Sequence, residues 1–178
     1  MLRYVLGVAN ESLPDNEIRI GTQQAMSSTK GKNEVNEHES HELNEYMKIT
    51  QALLDKLTEE AKASPRLRMN YDLRNSNADL SQRMLNAIEP GSPLPIHRHQ
   101  KTSETVVCLR GRLVEEYYDE LERICTERIE LSPNGPVVAL NIPAEQWHTV
   151  KALESGTVIL EMKNGPYEPI GPEDILAL

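Results

Sequence analysis

Residues 91–111 read Gly-Ser-Pro-Leu-Pro-Ile-His-Arg-His-Gln-Lys-Thr-Ser-Glu-Thr-Val-Val-Cys-Leu-Arg-Gly. His97 and His99 stand two residues apart, the repeat of an extended strand, so both imidazoles project to the same side of the chain. Glu104 follows the polar loop Gln100-Lys101-Thr102-Ser103 and opens the apolar run Val106-Val107-Cys108-Leu109, which lets a carboxylate return from a neighbouring strand. A fourth donor, His148, lies beyond Ile142-Pro143, between Trp147 and the β-prone Thr149-Val150. A lone histidine beside a tryptophan is often only a packed one, so His148 draws its weight from the other three. Imidazole and carboxylate together suit first-row transition metals, with geometry deciding among them. The expected centre is one divalent transition metal per chain, with iron, manganese, zinc and nickel as the candidates, held by His97, His99, Glu104 and His148.

Working outward from this stretch, short β-prone runs alternate with turn residues. They cover 82–88, 105–109, 113–118, 124–131, 137–142, 148–153 and 157–162, with Gly91-Ser92-Pro93, Ser132-Pro133-Asn134-Gly135-Pro136 and Ser155-Gly156 between them. Such spacing predicts an all-β jelly-roll barrel. The Glu-rich segment 113–129 would also suit a helix, and its flanking strands favour a hairpin. Ahead of the strands, Ile49, Leu53, Leu54, Leu57 and Ala61 recur at helical spacing, and Pro65 follows as a stop. This predicts an amphipathic helix over 48–64, packed on the outside of the barrel or at the seam of a homodimer.

The fixed residues Gly91, His97, His99, Glu104 and Gly111 match the first motif of the cupin superfamily. The segment Pro143-x-Glu145-x2-His148-x3-Ala152 resembles the second motif but lacks its two glycines and its asparagine, Glu145 standing at a turn glycine. A narrower resemblance spans Met47 to Pro169. It is carried by Ala63-Ser64-Pro65-Arg66-Leu67-Arg68-Met69-Asn70, by Gln82-Arg83-Met84-Leu85-Asn86-Ala87-Ile88-Glu89-Pro90-Gly91, by Leu109-Arg110-Gly111, by Trp147-His148-Thr149 and by Gly165-Pro166-Tyr167. In these runs the chain is similar to the WbuC family of cupin-fold metalloproteins. That resemblance implies an RmlC-like cupin barrel with an N-terminal helix, in a bacterial cytoplasmic protein associated with surface-polysaccharide genes. It supplies no substrate.

The 178 residues suit one modest core, and 47–178 is enough for a barrel. Residues 21–45 are too polar to bury an apolar face, so 1–46 reads as an extension to a 47–178 domain, with Met47 a candidate translation start. His38 and His41 fall in that stretch and read as solvated side chains. A net charge of −9 argues against nucleic acid or an anionic membrane as partner. No apolar stretch approaches the length of a membrane span, and the start shows too short an apolar run for a secretory signal. The two cysteines, Cys108 and Cys125, read as a reduced core thiol and an unpaired thiol without ligand spacing.

For a small-molecule ligand, Arg66, Arg68, Arg83, Arg98 and Arg110 cluster in sequence around the motif and offer guanidinium forks for a phosphate or carboxylate. Asn70, Tyr71, Gln82, Asn86, Tyr117, Trp147 and Tyr167 offer hydrogen bonds and flat apolar surface of the kind that holds a sugar or nucleotide ring. For each of them a surface or core role is the simpler alternative. Walker, Rossmann, Cys-x2-Cys and Ser-His-Asp patterns are absent from the sequence. Two functions remain in view: a metalloenzyme, an isomerase, epimerase or oxygenase acting on a sugar or sugar nucleotide, and a non-catalytic metal-dependent binding or regulatory module. A metal-independent epimerase would need a His-Asp pair that the sequence does not offer.

Overall fold

The structure, a computed structural model, describes residues 46–178; the expected extension, with His38 and His41, lies outside the described residues apart from Tyr46. Helix α1 spans Gln51–Ala63. Thr50 caps it, its hydroxyl accepting the Leu53 N–H at 3.3 Å. At the other end the Ser64 N–H returns to the Ala61 carbonyl, and Pro65 follows. Leu54, Leu57 and Ala61 form the buried stripe and meet Leu85, Ala87 and Val158 of the strands. Burying each leucine contributes about 1.5–3 kcal/mol, and this face fixes the helix to the outside of the barrel.

Ten strands follow: β1 (Arg68–Asp72), β2 (Ser81–Ile88), β3 (Ile96–His97), β4 (Glu104–Arg110), β5 (Leu113–Tyr118), β6 (Cys125–Leu131), β7 (Ala139–Ile142), β8 (Trp147–Ala152), β9 (Thr157–Asn164) and β10 (Ile175–Leu176). They form two antiparallel five-stranded sheets, ordered β1-β2-β9-β4-β7 and β10-β3-β8-β5-β6. The fold is the expected cupin jelly roll, and the two sheets do not close into a continuous barrel. The Glu-rich segment is the hairpin β5–β6. Sequence patterning anticipates seven of the strands and misses β1, β3 and β10. β3 and β10 are only two residues long, and β1 is an edge strand whose last three residues are exposed, so none carries a full apolar alternation.

The alternation of side chains sets up the interior. Between the sheets lie Ile88, Val106, Cys108, Leu113, Leu131, Ile142, Val150, Ala152 and Ile159. Register arranges the inward side chains in depth. Cys108 of β4 pairs with Ile159 of β9, and Leu113 of β5 with Ala152 of β8, at an apolar end. Glu104 pairs with Lys163, and Tyr117 with His148, at the opposite end. Between these, Val106 pairs with Glu161 and Glu115 with Val150. One lumen therefore runs from hydrocarbon to charge within three pairs of residues.

Gly111, in the turn from β4 to β5, closes the apolar end. It holds φ 78°, and a Cβ there would stand 2.8 Å from Thr157 Cα. Both conformation and space demand glycine. Among the described residues, no helix is long and apolar enough to cross a membrane. Cys108 is buried and Cys125 exposed, both free thiols.

Candidate metal centre

His97 and His148 face each other as a directly paired couple of β3 and β8, their ring centroids 4.5 Å apart. β3 ends at His97, so His99 is presented from the loop beyond it, not from the strand itself, yet its ring still lies 5.0 Å from that of His97 and 5.8 Å from that of His148. The loop is fastened by the Glu145 N–H, which donates to the His99 carbonyl at 2.8 Å. Glu104 comes from the first residue of β4 in the other sheet, so the centre ties the two sheets together at the polar end. The four ligand atoms lie within 4.8 Å of one another. Donors on opposite sides of an ion bound at about 2.1 Å stand roughly 4.2 Å apart, so small side-chain rotations close the set.

The protons are arranged for ligation. His148 Nδ1 lies 2.8 Å from the Gln146 carbonyl and His97 Nδ1 3.2 Å from that of Pro95. A carbonyl only accepts, so each ring carries its proton on Nδ1 and leaves Nε2 with a free lone pair. Burial, with the neighbouring histidines, lowers His97 to a pKa of about 4, and burial lowers His148 as well. Burial alone would raise Glu104, but His99, Lys163 and His148 hold it below the ordinary carboxylate range, so it is an anion.

The contact between His99 and Glu104 decides how the group reads. His99 Nε2 lies 2.7 Å from Glu104 Oε2, a distance at which a hydrogen bond is expected. Yet Glu104 Oε2, fully enclosed, has no hydrogen-bond partner. Lys163 Nζ stands 3.1 Å from the same His99 nitrogen, which therefore faces an amine on one side and a carboxylate oxygen on the other. A proton on that nitrogen serves Glu104 and crowds Lys163, and its absence serves Lys163 and leaves two lone pairs facing each other, so one contact stays unmet either way. An enclosed cation is the group that makes such a contact favourable, so the residues present fit a metal ion.

A cavity of about 310 Å³ reaches His99 and Lys163 from outside. Its wall includes Gln82, Arg98, Gly165 and Asp174. Gln82 donates to the carbonyls of Gly165 and Pro166 at 3.2 and 2.8 Å and so anchors the loop at the mouth. Arg98 lies over the Trp147 ring at 4.5 Å and pairs with Asp174 at 3.1 Å.

The other expected ligand-binding residues are dispersed. Asn86 is on the inner face, and Asn70, opposite it on edge strand β1, donates to Met84 Sδ at 3.3 Å. Arg66 is exposed. Arg68 donates to the Pro93 carbonyl at 2.7 Å, and Arg83 is paired with Asp79 at 2.8 Å. Arg110 is committed to the helix, through Asp55 at 2.5 Å and the Leu54 carbonyl at 2.9 Å. Tyr167 is 55% exposed, with Arg74 5.8 Å from its ring. The arginine cluster read around the motif is thus not a cluster in space, because alternation sends Arg83, and the register irregularity between Cys108 and Arg110 turns Arg110, to the helix-covered face of their sheet. Conversely, Lys163, Glu161 and Glu115 are inward and were not anticipated. The signal was present in Thr157–Asn164, where Ile159, Glu161 and Lys163 occupy alternate positions.

Comparison with known proteins adds little beyond fold. A family described as a domain of unknown function (DUF6016) matches residues 49–131. No curated protein matches the chain. Among solved structures, the capsular polysaccharide assembling protein CapF from Staphylococcus aureus is similar with a TM-score of 0.50 and 20% identity, over 65% of this chain and 32% of that one. KdgF from Halomonas sp. gives a TM-score of 0.45 and 16% identity, over 58% and 84%. Oxalate decarboxylase from Bacillus subtilis gives 0.44 and 16%, over 62% and 28%. The matched region is thus about a third of CapF, and at these identities the likeness is one of fold.

Proposed function

We propose that this chain is a WbuC-like cupin metalloenzyme acting on a small polar substrate, a sugar or sugar nucleotide in surface-polysaccharide formation. Residues 47–178 are its domain and 1–46 an appended extension; the WbuC resemblance also carries the cytoplasmic, homodimeric part of this reading. His97, His99, Glu104 and His148 would hold one divalent ion, iron, manganese, zinc or nickel. The observation that carries the reading is the unpartnered Glu104 Oε2 set 2.7 Å from His99 Nε2. When bound, such an ion supplies Lewis acidity toward a carbonyl or hydroxyl oxygen.

The chain's own groups do the rest. Lys163 places its Nζ 3.9 Å from Glu104 Oε2. Gln82 holds the mouth loop, and the cavity opening onto His99 supports turnover over a purely structural ion, which would sit in a closed sphere. CapF is a capsular polysaccharide assembling protein by its description, and a sugar-related role here is consistent with sharing its fold. The test is elemental analysis of protein purified without added metal, for wild type, His97→Ala and Glu104→Ala. Near-stoichiometric metal in wild type and loss in both variants is expected. Metal-free wild type that also fails to take up any of the four ions would overturn the reading.

A further inference from the structure

Lys163 stands where the cavity meets the metal centre. Its register on β9, opposite Gln82 of β2 and Glu104 of β4, turns it inward, and its side chain stays 22% exposed. The cavity of about 310 Å³ is lined by Lys163 together with His99 and Gln82, and this volume suits a small molecule. Lys163 Nζ lies 3.1 Å from His99 Nε2 and 3.9 Å from Glu104 Oε2, so these two neighbours belong to the expected ligand set.

An imidazole Nε2 has one lone pair, so a filled centre takes the 3.1 Å acceptor away from Lys163, and Glu104 at 3.9 Å is beyond hydrogen-bond reach. The N–H groups of Lys163 are then free for a ligand that enters the cavity. The rest of the wall is already matched. Arg98 pairs with Asp174 at 3.1 Å, Lys101 lies 3.9 Å from Glu168, and Gln82 donates to the Gly165 and Pro166 carbonyls, while Glu173 is exposed. Glu115 and Glu161 lie one pair deeper in the register and are not on this wall. Charge selects the kind of acceptor. A divalent ion held by Glu104 and three imidazoles, which ligate in their neutral form, keeps an excess of positive charge, so an anionic oxygen is favoured there whatever the proton of Lys163 does. One free donor suits a carboxylate. A phosphate carries more charge and more acceptor oxygens than the unmatched part of this wall serves.

We infer that Lys163 recognises the substrate in this cavity by donating a hydrogen bond to a carboxylate oxygen, so that the small polar substrate is an acid, such as a hydroxy acid or a sugar acid. This rests on the reading of the cavity as the mouth of a metal centre, and it adds the class of substrate and the residue that selects it. The experiment is a saturation-transfer NMR titration of matched pairs, glycolate against ethylene glycol, glucuronate against glucose and galacturonate against galactose, with glucose 6-phosphate beside them. It uses the full chain, zinc-loaded and chelator-treated, as wild type, Lys163→Met and Lys101→Met, with zinc content and thermal unfolding measured on the same samples. Amine acylation of wild type, read by mass spectrometry with and without each acid, reports on Lys163 without a substitution.

With zinc bound, at least one acid should bind tenfold or more tightly than its uncharged counterpart and than glucose 6-phosphate. Lys163→Met should lose at least tenfold of that affinity while folded and zinc-loaded, and Lys101→Met should stay within about threefold. The same acid should slow acylation of Lys163 threefold or more and leave Lys101 reactive; this readout decides if Lys163→Met fails to fold or to hold zinc. Equal or tighter binding of the uncharged partners or of the phosphate, no binding by any acid, acid affinity untouched in Lys163→Met, or Lys163 left unprotected would overturn the inference. Zinc-loaded wild type without the acid preference counts against this inference alone. Wild type that takes up no metal yet keeps a preference dependent on Lys163 counts against the metal centre alone.

Discussion

The two ends of the lumen are built from the same strands and differ in almost every other respect. At one end β4, β5, β8 and β9 contribute Cys108, Leu113, Ala152 and Ile159, each at most 8% exposed. Two inward pairs away the same strands contribute Glu104, Tyr117, His148 and Lys163. The first set is held mainly by packing, and its energy is chiefly that of hydrocarbon removed from water. The second set, with His97 and His99 beside it, places a carboxylate, an amine and three imidazoles in a space where charges are poorly screened. Such an arrangement does not arise from packing demands, since apolar side chains of similar volume would serve at least as well. The difference teaches where the molecule is stabilised and where it concentrates its ionisable groups.

That division can be strained from its stable end first. Gly111→Ala, forcing a side chain against Thr157 at positive φ, should cost roughly 2–5 kcal/mol, read as a lowered denaturant midpoint. Leu113→Ala should cost about 2–5 kcal/mol by opening a cavity in a layer with no exposed surface, and should leave the metal centre intact. If either change proved neutral, the apolar end would not be the anchor.

Glu115 sharpens the comparison from the middle of the lumen. Its folded pKa of about 9 lies above the ordinary glutamate value of 4.5, so the folded state holds the proton more tightly than the unfolded one. The stability this group allows is full below pH 4.5 and falls as pH rises toward 9. Glu115→Gln, uncharged throughout, should therefore match wild type in acid and exceed it by roughly 1–3 kcal/mol at neutral pH. Chemical denaturation across that range would show the two curves diverging, and parallel curves would mean that Glu115 is not protonated in the fold.

The smallest effect concerns the loop that fastens His99. Glu145 occupies φ 68°, the left-handed region expected of the glycine it replaces, so the turn of the second motif keeps its shape at some strain. Glu145→Gly should stabilise by up to about 1 kcal/mol, the relief of strain being partly offset by the freedom glycine gains on unfolding. Destabilisation by that change would show that the side chain itself holds the loop.

These contrasts also explain what could be read from the chain alone. The alternation in β2 and β4 through β9 and the helical stripe of α1 are long enough to declare themselves, and the fold was legible from them. His97, His99 and Glu104 were legible because their offsets repeat a motif, and the structure gathers them with His148. The arginines misled because a residue's place near a motif in sequence says nothing of the face it takes: Arg110, one residue before Gly111, turns outward to Asp55. Glu161 and Lys163 were missed because Val158, Leu160 and Met162 fill the alternate positions of β9 and make the strand look apolar throughout.

The most direct test is thermal unfolding with chelator and then with manganese, zinc, nickel or ferrous ion added, for wild type, Glu104→Gln, His148→Ala and Leu113→Ala. An ion that binds only the folded chain, at a hundred times its Kd, adds about 2.7 kcal/mol. The account predicts a rise in Tm of several degrees for wild type, no rise for Glu104→Gln or His148→Ala, and for Leu113→Ala a lower Tm with the rise preserved. A wild type indifferent to all four ions, or a rise that survives in Glu104→Gln and His148→Ala, would contradict it.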